Sequence, residues 1–297
     1  MPRIISLSTA AVVLLAAPTL VAAQTFTYGK ADDVKDVETT KWEATAEAGL
    51  VVTTGNSQTI TLTGGAKATR RQQQNKFSLE AAGTFARASN TMKDVDAGAD
   101  NLLSADEVHR VTTTSAESYN VKLRYDRFLT RWDSLYLAAL GGADIIAGKD
   151  FVGGGQVGYA RTLYKTEKHE VTAEIGYDFS YEDLAAGDSH QIHSGRGFLG
   201  YQGKLSAETS LAASLEALDN VNEQSAAVGA FEDLRAVATA ALSTKVTKGI
   251  SVSLSFTAKY DNAPAPFKSD IPLDATNPPE NSKLDTTSKA SLIVTLL

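Results

Sequence analysis

From Trp42 to the C-terminus, apolar and polar residues alternate one by one in stretch after stretch. Ile250, Val252, Leu254, Phe256, Ala258 and Tyr260 fall on one side of such a stretch, and Ser251, Ser253, Ser255, Thr257 and Lys259 on the other. Successive Cβ atoms point to opposite faces only in an extended strand, so no helix separates these two sets. The same parity runs through Val171 to Tyr181, Thr209 to Ala217 and Thr59 to Thr69. Twelve strands are predicted in this way: 42–53, 57–70, 75–88, 113–128, 133–146, 152–163, 170–182, 193–203, 207–218, 233–245, 250–261 and 285–297. Soluble strands usually have ~5–6 residues. A tilted strand crossing a bilayer needs ~9–11, which all twelve provide.

The connections are sorted. Those after even strands are short: 71–74, 129–132, 164–169, 204–206 and 246–249. Most after odd strands are longer: 89–112, 147–151, 183–192, 219–232 and 262–284, with Thr54-Gly55-Asn56 the exception. Short turns on one rim and long loops on the other mark an outer-membrane barrel with both termini on the periplasmic side. Charge follows the same division. The short side carries Arg70, Arg71, Arg131, Lys165, Lys168, Lys204 and Lys248, whereas the long side holds most of the loop acids, among them Asp94, Asp96, Asp100, Asp183 and Asp188. A membrane-spanning sheet cannot leave edge N–H and C=O groups in hydrocarbon, so it must close on itself. The expected fold is therefore all-β, a closed antiparallel transmembrane β-barrel of about 12 strands. Its aromatic girdles would hold Trp42, Phe77, Tyr125, Phe128, Trp132, Tyr136 and Tyr164 near the periplasmic rim. Phe85, Phe151, Tyr177, Phe179, Tyr181 and Tyr260 would sit near the outer one.

The N-terminus supplies an address. Met1-Pro2-Arg3 is basic, Ile4 to Leu20 is free of charge, and Val21-Ala22-Ala23 places small residues before Gln24. This order reads as a secretory signal peptide over 1–23, cleaved after Ala23. A periplasmic lead over 24–41 and the barrel over 42–297 follow. The chain has no Cys, which excludes disulfides, thiolate metal sites and a Cys nucleophile. Lys and Arg number 28 against 35 Asp and Glu, a net charge of −7 that argues against nucleic acid as a partner. The partners expected instead are the lipid bilayer, lipopolysaccharide and, during biogenesis, the barrel-assembly machinery. Nothing in the sequence fixes an oligomeric state.

Trp42 to Ser57, with the Thr54-Gly55-Asn56 turn between two alternating strands, resembles the opening hairpin of the salt-induced outer-membrane protein family, domain-of-unknown-function family 481. The tail resembles it too, in Tyr260-Asp261-Asn262-Ala263-Pro264 and in Lys283-Leu284-Asp285-Thr286 leading into the last strand. The resemblance implies an outer-membrane barrel of unassigned activity. The chain departs from the family in its long 89–112 and 262–284 loops and in ending on Leu297 rather than an aromatic residue.

Parity sends Glu43, Glu47, Lys67, Glu80, Lys122, Arg124, Asp126, Glu174, Asp178, Arg196, Glu216, Arg235, Lys259 and Lys289 to the lumen. Ten of these are the lumen-lining candidates: Glu47, Glu80, Lys122, Arg124, Glu174, Arg196, Glu216, Arg235, Lys259 and Lys289. Twelve strands lie between small filled barrels and 16–18-stranded open porins. The side chains thus either interlock as a plug or line a narrow channel for small solutes or ions. Asp188-Ser189-His190-Gln191-Ile192-His193-Ser194 contains the residue types of a hydrolase and two His three apart. Adjacency in a polar loop is mostly composition, because triad partners converge from separate elements. Asp94-x-Asp96 with Asp100 lacks the Glu of a calcium loop. Gly153-Gly154-Gly155 precedes no helix, so it is read as room for a bulky neighbour rather than a phosphate cradle. No catalytic residue, metal ligand or cofactor is assigned, and the chain is read as a non-enzyme. The alternatives are a rim-located lipid-modifying hydrolase and a soluble periplasmic barrel that binds an apolar ligand.

Overall fold

The computed structural model describes residues 40–53, 57–93, 108–185, 189–225, 228–265 and 282–296. They form twelve strands: β1 Lys41–Thr53, β2 Ser57–Gln72, β3 Asn75–Lys93, β4 Val108–Phe128, β5 Asp133–Asp144, β6 Lys149–Lys165, β7 His169–Leu184, β8 His190–Lys204, β9 Thr209–Asn220, β10 Leu234–Lys245, β11 Ile250–Asp261 and β12 Leu284–Thr295. Each pairs antiparallel with its chain neighbours, and β1 pairs with β12 to close the ring. All twelve predicted strands are present. β3 and β4 run further toward the long-loop rim than alternation indicated, and their register continues to Lys93↔Val108. The expected signal peptide 1–23, most of the expected lead, the Thr54–Asn56 turn and the Asp94–Asp100 acids lie outside the described residues.

The two faces of the wall differ as the pleat requires. Outside, Leu137, Ile175 and Leu254 are 61%, 69% and 58% exposed. Inside, their strand neighbours Ala138, Glu174 and Ser253 are buried. Two of the predicted girdle residues are corrected. Tyr136 and Phe128 are buried and face inward, not toward lipid. Parity gave no warning at Tyr136, because Leu135-Tyr136-Leu137-Ala138-Ala139-Leu140 is apolar on both faces. Phe128 shares the inward parity of Arg124 and Asp126 and lies under the Arg71 guanidinium, 5.0 Å from its ring centre.

Tyr136 fits because the wall beside it is bare: its register partner on β6 is Gly158. Gly158 and Gly176 face each other across β6 and β7. A Cβ built on Gly158 would come within 2.6 Å of the Tyr136 hydroxyl, and one on Gly176 within 2.5 Å. The glycine pair is therefore a slot filled by a tyrosine, the close approach that glycine in a strand permits. On the outer face Phe151 lies over Gly153, which fits the reading of the glycine run as space for a large side chain.

Candidate functional site: the barrel interior

Inward parity brings oppositely charged groups from several strands to one level. Arg124 on β4 donates from Nη2 to Asp126 Oδ1 at 2.7 Å and to Glu174 Oε1 on β7 at 2.9 Å. Glu174 also accepts from Arg196 Nη1 on β8, and Arg196 Nε donates to Glu216 on β9. Tyr136 sits at the centre. Its hydroxyl accepts from Arg196 Nη1 at 2.8 Å, and its ring lies 4.0 Å below the Arg124 guanidinium. The Arg124 and Glu174 side chains are 1% and 0% exposed. Charges this deep are tolerated only when each is paired and its remaining hydrogen bonds are met. The arginine forks meet that condition, since planar guanidinium matches carboxylate at two points.

Register extends the network around the wall. Lys67 meets its cross-strand partner Glu80 at 2.8 Å. Glu80 stands opposite Lys122 on its other side, and buried Lys76 stands opposite Asp126. Gln156 donates to Asp178 at 2.8 Å across β6 and β7.

A second cluster occupies the long-loop end. Lys149 on β6 meets Glu182 on β7 at 2.7 Å and reaches Asp261 on β11 at 3.9 Å. β6 and β11 are five places apart around the ring, so this contact spans nearly its full width. Arg235 on β10 meets Glu182 at 3.2 Å and Asp233 at 3.4 Å, and donates to Ser194 at 3.1 Å. Lys259 faces this cluster from β11, with Asp285 as its register partner on β12. Asn220, fully buried, ties down the connection after β9. It donates to the Asn222 and Gly229 carbonyls at 2.7 and 2.8 Å and accepts from the Glu232 and Asp233 amides.

Between the clusters and the short-turn rim lies a cavity of about 610 Å³. Ser243, Ser253, Ser255, Thr257 and Ser291 give it a hydroxyl wall, and the 2.6 Å Glu47–Lys289 ion pair stands on another side. Residues 166–168 of the β6–β7 turn and His169 at the start of β7 border it.

The model of the family described as "Protein of unknown function, DUF481" matches residues 46–296. The chain belongs to this family. Among solved structures, the NanC porin is 10% identical, with 86% of this chain and 100% of that chain covered and a TM-score of 0.46. The translocator domain of autotransporter NalP from Neisseria meningitidis is 13% identical, covering 86% and 87%, at a TM-score of 0.40. OmpT of Vibrio cholerae is 11% identical, covering 88% and 98%, at 0.38. No curated protein matches.

In this DUF481 barrel, Arg124, Glu174, Arg196 and Glu216 converge in one cluster, with Glu80 and Lys122 beside it on the β3–β4 wall. Arg235 and Lys259 belong to the long-loop cluster, and Glu47 and Lys289 stand apart at the closing seam. Sequence reasoning missed Tyr136, Lys149, Glu182, Asn220, Asp233 and Asp261. Lys149 falls in the 147–151 connection by alternation, and its inward placement depends on a register shift between Lys149 and Phe151. Glu182 and Asp261 carried the signal, since both continue the inward parity of strands already recognised.

His190 and His193 do not converge. Glu182↔His190 and Phe179↔His193 are register pairs, and a spacing of three puts the two His on opposite faces. His193 faces outward, 5.2 Å from the Phe179 ring and hydrogen-bonded to the Tyr177 hydroxyl. Among the described residues no group of three or more His, Cys, Asp or Glu is arranged to hold a metal.

Proposed function

We propose that this DUF481 barrel is an integral outer-membrane protein whose lumen is plugged toward the long-loop side and open only as a vestibule toward the short-turn side. It thus serves the cell envelope as a closed or gated barrel rather than a general diffusion pore. The observation that carries this reading is the Lys149–Asp261 contact across the ring, held by Glu182 and Arg235 beside it. The apolar exterior supports the location. Leu50, Leu137, Ile175, Leu215, Leu254 and Leu292 all lie exposed around the circumference, more contiguous apolar surface than a soluble monomer carries. In this orientation the basic short turns face the periplasm, and the acid-rich loops face lipopolysaccharide. Secretion with removal of residues 1–23 and insertion by the barrel-assembly machinery complete the reading, and it includes no catalytic role.

The test joins fractionation, heat-modifiable migration on a gel and single-channel recording in planar bilayers. The expected result is a detergent-requiring, heat-modifiable protein without steady current, and measurable conductance on Lys149→Ala with Asp261→Ala. Steady ohmic current from the unaltered protein overturns the plug. Release from membranes by carbonate alone overturns the location and favours the soluble barrel. N-terminal sequencing of the secreted chain checks cleavage after Ala23.

A further inference from the structure

The ring is closed unequally. Every other pair of neighbouring strands shares at least eleven register positions, as β10 and β11 do from Arg235↔Asp261 to Lys245↔Ser251. β1 and β12 share four, from Thr45↔Thr295 to Ala48↔Leu292, although both strands continue beyond them. One further bond, from the Leu296 amide to the Ala44 carbonyl, lies at the short-turn end. The strands are still close at Gly49, where a Cβ would come 3.3 Å from the Ala290 carbonyl. Above that point, among the described residues, β1 is laddered only to β2, and β12 only to β11. Two sheet edges therefore face each other without a shared ladder, in a wall whose outer side is apolar.

Such an edge does not persist in hydrocarbon unless its N–H and C=O groups find polar partners. The cavity supplies the second observation. Glu47, Lys289, Ser291 and Ile293 line it, so the seam is one of its walls. Lys289 and Ser291 lie beyond the last β1–β12 register pair, Ala48↔Leu292. The Glu47–Lys289 ion pair crosses the seam obliquely, because the register partner of Glu47 is Ile293. On the outside, Leu50 and Val52 form one apolar lip and Leu284 and Leu292 the other.

We propose that the upper β1–β12 seam is a lateral portal occupied by a membrane phospholipid, its head group toward Ser291 and the hydroxyl-lined cavity and its acyl chains between the apolar lips. Phosphate oxygens accept from the amides nearest Ser291 and from the serine hydroxyls, water entering through the cavity donates to the facing carbonyls, and the acyl chains continue the lipid that surrounds the barrel. Glu47–Lys289 is the latch on the lumenal side. The proposal rests on the reading of the barrel as membrane-embedded.

The chain has no Cys, so single-cysteine variants can be labelled without background. Ser291→Cys and Val51→Cys carry a bimane fluorophore on the lumenal side of the seam, Ser214→Cys carries it in the lumen on β9, and Leu292→Cys carries it outside. Each is reconstituted into phosphatidylcholine vesicles containing lipid with a nitroxide on the acyl chain. Ser291 and Val51 labels are expected to be quenched several-fold more than the Ser214 label and to approach Leu292. If Leu292 is quenched while Ser291 and Val51 are as protected as Ser214, the portal is overturned and the membrane reading stands. If Leu292 is protected as well, the membrane reading itself fails. Val51 keeps the test decisive should Ser291→Cys not fold.

Discussion

Arg124 and Glu174 meet at 2.9 Å although they are 50 residues apart and stand on strands three places apart around the ring. The curvature of the closed wall brings such groups together across the lumen, since on a flat sheet three strand spacings would hold them roughly 14 Å apart. Glu174 also serves Arg196, so its removal deprives two buried guanidinium groups of a carboxylate. Glu174→Ala is expected to destabilise the barrel by about 3 kcal/mol, the lower end for breaking a buried pair, because Asp126 and Glu216 remain. The urea midpoint of the heat-modifiable band measures this. A shift equivalent to less than ~0.5 kcal/mol, the level of an ordinary surface change, would count against the network as a structural element.

Glycines on the two faces should respond differently to the same added methyl. A Cβ at Gly176 meets the Tyr136 hydroxyl at 2.5 Å and the Val157 carbonyl at 2.6 Å, whereas one at Gly197 meets nothing within 4 Å. Gly176→Ala is therefore expected to cost about 1–3 kcal/mol as overpacking. Gly197→Ala is expected to be neutral or slightly stabilising. Equal urea midpoints for the two variants would contradict the Tyr136 slot.

Leu254 and Ser255 are neighbours in sequence and opposites in the wall. Leu254→Arg puts a charge on the lipid face and should cost about 2–4 kcal/mol near mid-membrane. Ser255→Arg puts the same side chain into the cavity, where water and hydroxyls receive it. Refolding yield into phosphatidylcholine vesicles should fall for the first and hold for the second. The reverse order would mean that inside and outside are exchanged.

Asn220 holds the β9–β10 connection through both its amide donors and its acceptor oxygen. Asn220→Asp keeps the shape but loses the donors, leaving the Asn222 and Gly229 carbonyls without them. A glutamyl endopeptidase added to vesicles should then cleave at Glu223 or Glu232 faster than in the unaltered protein. Unchanged resistance would show that the loop is held by something other than this side chain.

How far each feature could be read in advance depended on how local its cause was. β11 is legible because Ser, Thr and Lys alternate with Ile, Val, Leu and Phe without a break. β5 is legible as a strand but not in its facing, because apolar residues occupy both sides, and Tyr136 was misplaced for that reason. The inward charges on β4 and β7 were identifiable one by one. Their partners were not, since Arg124 chooses Glu174 through strand tilt and ring closure, which no spacing within a strand records. Lys149 was hidden by a bulge, a one-residue shift that turns every later side chain over.

Sequence by itself determined the number of strands, their approximate ends, the sorting of short and long connections, and the polarity of the two faces. These follow from a pleat of period two and from turn chemistry, both of which act over a few residues. The tertiary structure decided the rest: which charges neutralise one another, that Lys149 spans the ring to Asp261, that Gly158 and Gly176 make room for Tyr136, and that β1 and β12 meet over only part of their length. Each depends on the diameter, tilt and stagger at which twelve strands close, and those are properties of the whole sheet.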